Sequence, residues 1–279
     1  MFPSAQKLIL DVLTLNQPYP CKVRHLIQFG DCFEINENTI RVTLARLVKS
    51  QMILSEQRGF YRIAPSALCM QQQLWQWRTL EPITKPWQGD YIMISCHDIG
   101  RTDRIALHKR EKALSLLGFT SLEKDLYLRP DNLIYTHAEI KQKLIALGMD
   151  PRGRVFMASD FECSHEEMIG QLWQPERLNA GYLEQEQRMR HWMFHQHSYP
   201  AKQAVQESYV LCQRAIRSIF FDPLLPEPYV NSAYRERFMT TTRHFEINGI
   251  AIWRDFCHLE PSGIYQPLKR PFVGMRYFG

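Results

Sequence analysis

Apolar residues recur at helical spacing over the first fifty positions of the chain. Leu8, Ile9, Val12, Leu13 and Leu15 give one apolar side to the stretch after Ser4, and Ser4 can cap it, so a helix is predicted to about Leu15. "NQPYP" breaks it. A second short helix is expected over roughly Cys21 to Phe29, ending at Gly30, and Asn36 caps a third. In the third, Ile40, Leu44, Leu47 and Val48 fall at i, i+4, i+7 and i+8 and form one buried stripe at about 100° per residue. Asn38, Val42, Ala45, Arg46 and Lys49 lie on the far side, with Thr39, Arg41 and Thr43 on the flanks. The pattern then changes. "ILSEQRGFYRI" reads as two short strands, Ile53 to Gln57 and Phe60 to Ile63, turning at Arg58-Gly59.

Further on, strands and helices alternate. "YIMISCHDI" reads as a strand, with Tyr91, Met93 and Ser95 opposite Ile92, Ile94 and Cys96. "TDRIALHKREKALSLLGF" is a helix closing at Gly118, and "TSLEKDLYLRPDNL" supplies one or two strands. "THAEIKQKLIALGM" is a helix closed by Gly148, and "RGRVFMASDF" is another strand. From there to the C-terminus the pattern is helical: "SHEEMIGQLWQPERLNAGYLEQEQRMRHWMFH", "AKQAVQESYVLCQRAIRSIFF", and a helix after the Pro-rich turns of "DPLLPEPYV". The predicted organisation is therefore an N-terminal unit at 1–66, a linker helix and connector at 67–87, a middle domain at 88–172 and a helical domain at 173–279. The fold class expected is α+β, multidomain.

Composition adds few constraints. With 279 residues, 45% hydrophobic and 23% charged, the chain has a globular profile and room for two or three domains. A net charge of +5 permits an anionic partner without requiring one. No apolar run is long enough to cross a bilayer, and no signal-peptide core is present, so a cytoplasmic protein is expected. Seven cysteines are scattered without a CxxC pair, which suggests reduced thiols rather than a disulfide framework or a zinc ribbon.

Three helices followed by a basic-tipped hairpin is the order of a winged helix-turn-helix, whose third helix enters the DNA major groove. The candidate DNA-contacting residues are Asn38, Thr39, Arg41, Thr43, Arg46 and Lys49 on that helix, with Arg58 and Arg62 on the wing. Such folds also serve as protein-interaction modules. The middle β-α-β-β-α-β order is the ferredoxin-like arrangement. Asp98, after its first strand, stands where the small CRISPR-adaptation nucleases of that fold carry a metal-binding Asp; the same residue also suits a turn or helix cap. His191 and His195, at i and i+4, have a zinc-compatible spacing, but no third ligand completes the set, and none is assigned. No catalytic residue and no cofactor is expected.

The chain resembles the PaaX family of bacterial transcriptional repressors of phenylacetic acid degradation. Three places carry the resemblance: "IRVTLARLVKSQMI" with "RGFYRI"; "WQGDYIMIS" with "ALSLLGFTSLEKDLYLRPDNL"; and "LWQPERLNAGYLEQ" with "DPLLPEPY". The resemblance implies a homodimer on a double-stranded DNA operator, released by an aryl-CoA thioester such as phenylacetyl-CoA; no membrane partner is expected, because no apolar run is long enough to cross a bilayer. Such an effector requires cations and aromatics. Candidates are Arg104, Lys109, Arg110, Arg129, Arg152 and Arg154, with Trp173, Tyr182, Trp192 and Phe194. Arg129 ranks first because it follows a strand directly and precedes a turn. The alternatives are a metal-dependent nuclease using Asp98 and an acyl-CoA-processing enzyme, for which no G-x-S-x-G elbow is present.

Overall fold

The computed structural model describes residues 2–65, 67 and 83–259. Most of the 67–87 linker, including Leu74, Trp75 and Trp77, and the end of the chain after 259 lie outside the described residues. The fold is mixed α/β with two small antiparallel sheets. Its contacts divide it into two compact units, one built from 2–65 with 187–215 and 241–259, the other from 83–186 with 216–240. The described helices after 173 are shared between the two units.

In the first unit, Ser4 caps α1 (Ala5–Leu15) by accepting from the Lys7 backbone N–H at 3.3 Å. The helix is buried on all sides from Leu8 to Leu15, not on one side only. Its polar positions are accordingly satisfied: Asp11 accepts from Tyr209 Oη at 2.6 Å and from Lys7 Nζ at 3.0 Å. Residues Cys21–Lys22, read as the start of a helix, form a short strand, β1, and α2 runs Val23–Cys32, straight through Gly30. Gly30 is thus a contact residue rather than a helix end. A Cβ there would meet Ile40 Cδ1 at 3.0 Å, so the missing side chain lets α2 approach α3.

Asn36 caps α3 (Glu37–Lys49), its Oδ1 accepting from Thr39 N at 2.8 Å. Ile40, Leu44 and Leu47 are buried as expected, but Thr43 replaces Val48 as the fourth buried position. The two flank the stripe at about 70° on opposite shoulders, so periodicity cannot say which shoulder a neighbour will cover. The hairpin of β2 (Ile53–Gln57) and β3 (Phe60–Ile63) has the expected limits. Gly59 turns it at φ +80°, and β1 pairs with β3 on the other side, giving the order β1-β3-β2.

In the second unit, β4 (Tyr91–Ser95), α4 (Arg104–Leu116), β5 (Thr120–Glu123), β6 (Leu126–Pro130), α5 (His137–Ala146) and β7 (Arg154–Ala158) follow one another. The sheet order is β5-β6-β4-β7, with all three pairings antiparallel. β4 stops at Ser95, short of the expected Ile99, because Cys96 N turns to the Asp125 carbonyl at 2.7 Å. Asp103 and a Thr136–Glu139 capping box start the two helices. Ile92 and Ile94 face a core with Ala113, Leu114, Ile140 and Leu144. Tyr91 and Met93 face a second cluster with Leu128 and Ile169, against which Trp87 and Trp173 pack.

The long helix expected after 164 is broken into α6 (Cys163–Gln171) and α7 (Pro175–His195), with Gln174 at φ +52° between them. Pro175 lacks a backbone N–H and disfavours helical geometry in the residue before it, so it starts a helix rather than continuing one. α8 (Ala201–Phe220) and α9 (Ser232–Cys257) complete the chain as described. Among the described residues no helix is long and apolar enough to cross a membrane.

Candidate functional site

Two surfaces gather the residues singled out in the sequence. The first is the outer face of α3. Asn38, Thr39, Arg41, Val42, Ala45, Arg46, Val48 and Lys49 are all exposed, while Ile40, Thr43, Leu44 and Leu47 hold the helix to the core. Thr43, expected among the DNA-contacting residues, is buried and is therefore removed from that set. Arg41 pairs with Glu37 at 2.6 Å, one helical turn back, and Arg46 Nη2 donates to Gln6 Oε1 at 3.1 Å. Both are exposed contacts, cheap to exchange for another partner. Lys49 and Arg58 make no ion pair among the described residues, and both are exposed. Arg62 pairs with Glu56 at 2.8 Å on the neighbouring strand, so its charge is already compensated on the hairpin.

The second surface is a cleft of about 330 Å³ in the other unit. The break before α7 supplies Trp173 and Gln174, one face of α7 supplies Arg177, Gly181, Tyr182 and Gln185, and the end of α8 supplies Ser218 with Phe221 and Asp222 beyond it. Two expected ligand residues, Trp173 and Tyr182, are brought together here. Tyr182 Oη donates to Asp222 Oδ2 at 2.8 Å, and Asp222 Oδ1 accepts from Leu224 N at 2.8 Å. Gln185 Nε2 donates to Ser218 Oγ at 3.0 Å, and Trp173 Nε1 donates to the Gly118 carbonyl at 3.0 Å. Arg177 is exposed, with its guanidinium on Gln174 Oε1 at 3.2 Å. Arg177, Gly181 and Gln185 were not singled out from the sequence. Their i, i+4, i+8 spacing on one helix face was the signal that could have found them.

The remaining expected ligand residues do not join this cleft. Arg110 and Arg129, expected to face a ligand, are instead buried structural residues, at 2% and 1% exposure. Arg110 donates to Asp125 Oδ1 at 3.2 Å, and Arg129 donates to the Pro130 carbonyl at 3.1 Å, to Asn132 Oδ1 at 2.8 Å and to the Leu117 carbonyl. Trp192 belongs to the first unit and is buried edge-on against Phe245. Arg104 and Lys109 are exposed on α4, Arg152 is clamped on Asp150 at 2.8 Å, and Phe194 is 83% exposed at the end of α7. Asp98 sits in the turn after β4 with its carboxylate on the Arg154 guanidinium. His195 Nδ1 lies 2.9 Å from the His191 carbonyl, and among the described residues no group of three His, Cys, Asp or Glu side chains is placed to hold a metal ion. Burial pushes the Cys21 thiol up to about 12 and Cys32 to about 11, so neither is a nucleophile.

No protein-family model matches the chain, and no curated protein matches it. A solved structure does. The uncharacterized protein Rv0674 from Mycobacterium tuberculosis superposes with a TM-score of 0.65 at 22% sequence identity, covering 92% of this chain and 99% of that one. At that identity the likeness is one of fold.

Proposed function

We propose that this protein is a DNA-binding transcriptional repressor of the PaaX kind, with a winged helix-turn-helix at its N-terminus and a ferredoxin-like middle domain. The observation that carries the reading is the outer face of α3. Along it Asn38, Val42, Ala45 and Lys49 stand exposed in one stripe, between Arg41 and Arg46, and Glu37 is the only acidic side chain on the helix. A stripe with apolar Val42 and Ala45 at its centre, an amide at one end, a lysine at the other and arginines on both sides matches base edges framed by phosphates. The β2–β3 hairpin, with Arg58 exposed at its turn, follows this helix in the chain as a wing does, and β1 from before α2 completes its sheet. The middle β-α-β-β-α-β order and its β5-β6-β4-β7 sheet support the ferredoxin-like assignment.

The effector in this reading is an aryl-CoA thioester such as phenylacetyl-CoA, and the regulated genes serve aromatic-acid catabolism. A cavity of about 150 Å³ accepts one benzene ring, so the 330 Å³ cleft has room for an arylacyl group but not for a whole thioester. Arg177 then faces the anionic remainder. Release requires that the ligand bind the DNA-incompetent state more tightly, and a roughly 100-fold loss of DNA affinity corresponds to about 3 kcal/mol of coupling. A homodimer would set two such helices one helical turn, or a multiple of it, apart on a palindrome.

The test is a fluorescence-anisotropy titration on the DNA upstream of this gene and its neighbours, with and without phenylacetyl-CoA. Selective binding that the thioester reverses is the expected result. Binding that ignores the thioester removes the effector and keeps the repressor; absence of selective binding removes both. The nuclease reading gains no support from Asp98, whose carboxylate is held by Arg154.

A further inference from the structure

Val42 is the most exposed of the large hydrophobic side chains on α3, and neither folding nor charge explains it. It is β-branched, which lowers helix propensity slightly relative to alanine, and at 60% exposure it buries little. Ala45 is exposed beside it, one turn further on. At about 100° per residue, Asn38, Val42, Ala45 and Lys49 fall within about 60° of one another, opposite the buried Ile40, Leu44 and Leu47. Arg41 and Arg46 stand about 70° to either side of that stripe, and each already makes a lateral contact, to Glu37 and to Gln6. The middle of the face is therefore apolar, its rim is cationic, and its N-terminal end is an amide.

From this arrangement we infer that α3 reads the 5-methyl groups of thymine in the major groove, with Val42 as the principal contact, Ala45 as the second and Asn38 on an adenine about two base steps away. The inference rests on the DNA-binding reading above and adds what that helix selects. The chemistry is specific. Thymine alone among the bases presents a methyl group in the major groove, and small apolar side chains are its natural partners. Asn makes a bidentate pair with adenine N6 and N7, and Asn38 lies one turn, about 6 Å, from Val42, the span of about two base steps. The cationic rim then supplies phosphate contacts on both sides of the groove. Val42 is a specificity-determining residue, and the preferred half-site contains A·T pairs about two base steps apart.

The experiment starts with selection of duplexes from a random pool by the full-length protein. Each thymine of the selected sequence is then replaced singly by deoxyuridine, which removes only the methyl group, and affinities are measured by anisotropy at fixed salt. Loss of one buried methyl should weaken binding about four-fold at one or two thymines per half-site. Val42→Ala, a substitution at an exposed position to a better helix former, should abolish the thymine–uracil difference at one of them. Selective binding with uracil equal to thymine everywhere, and with Val42→Ala silent, overturns the inference and leaves the DNA-binding reading standing. A pool that yields no preferred duplex overturns both.

Discussion

Arg129 donates from Nη2 to Asn132 Oδ1 at 2.8 Å, and both side chains are buried. Asn132 passes the connection on, donating from Nδ2 to the Leu224 carbonyl at 2.7 Å, while Arg129 also reaches the carbonyls of Leu117 and Pro130. One guanidinium thus ties the end of α4 to β6 and to the loop before α9. Arg129→Met keeps much of the volume but leaves buried acceptors without a donor, which should destabilise the protein by about 3 kcal/mol or more. The urea midpoint of the variant checks this. An unchanged midpoint would mean that these buried hydrogen bonds contribute nothing to stability and would reopen the ligand-binding role expected for Arg129 from the sequence.

Gly118 lies against the same guanidinium. Its φ of +76° is left-handed, and a Cβ would come within 2.5 Å of the Pro223 carbonyl oxygen and 3.0 Å of Arg129 Nη1. The carbonyl is backbone and cannot swing away. Gly118→Ala should therefore cost about 2 kcal/mol or more, combining backbone strain with the clash. Thermal unfolding of the variant reads it directly.

Much of this fold could be read from spacing and caps. Ser4, Asn36 and Asp103 stand at helix starts, Gly118 and Gly148 follow helix ends, and the hairpin at Arg58-Gly59 has the limits its alternation predicts. What periodicity missed depends on what lies across a face. Arg129 alternates with Leu128 along β6, so a one-sided sheet would expose one of the two; both faces are covered here, and both residues are buried. Gly30 looked like a helix end because its close neighbour, Ile40, is on another helix. Pro175 marks the break that shapes the cleft, within a stretch whose composition is helical on both sides.

Asp150 offers an electrostatic check. The Arg152 guanidinium and backbone N–H both donate to its carboxylate, at 2.8 to 3.0 Å, and hold its pKa down at about 2. The folded value lies below the ordinary 3.8, so the contribution to stability is present above pH 3.8 and is lost as pH falls towards 2. A carboxyl-carbon NMR titration should place the Asp150 midpoint near 2, and Arg152→Ala should return it to the ordinary range. A wild-type midpoint near 3.8 would mean that the clamp does not persist in solution.

Arg46 stands at the edge of α3's exposed stripe, beside Gln6 of α1 rather than at its centre. That placement suits a phosphate rather than a base. On the DNA-binding proposal, Arg46→Ala should weaken binding to every duplex alike, by about 1–2 kcal/mol, and reduce the slope of log affinity against log salt by about 1. Arg110→Ala, by contrast, removes a buried partner of Asp125 and should lower stability without changing the salt slope of the folded protein. A loss confined to particular sequences in Arg46→Ala would move it into the groove.

Gly181 separates the cleft from the packing around it. It sits within α7, where glycine costs about 1 kcal/mol relative to alanine, and nothing lies within 4 Å of where its Cβ would be. Packing therefore does not require this glycine. Among the cleft-lining residues it is the one without a side chain, so a larger residue there occupies the space that a ligand would take. Gly181→Leu should raise helix stability slightly and leave DNA affinity unchanged, because α3 belongs to the other unit. On the proposal that phenylacetyl-CoA is the effector, it should also abolish release. Anisotropy titrations of wild type and variant, each with and without the thioester, separate the outcomes. If both proteins are released alike, the ligand binds elsewhere and the cleft loses its role. If only the wild type is released, the arylacyl group occupies the space beside Gly181, and Arg177→Ala should then raise the thioester concentration needed for release.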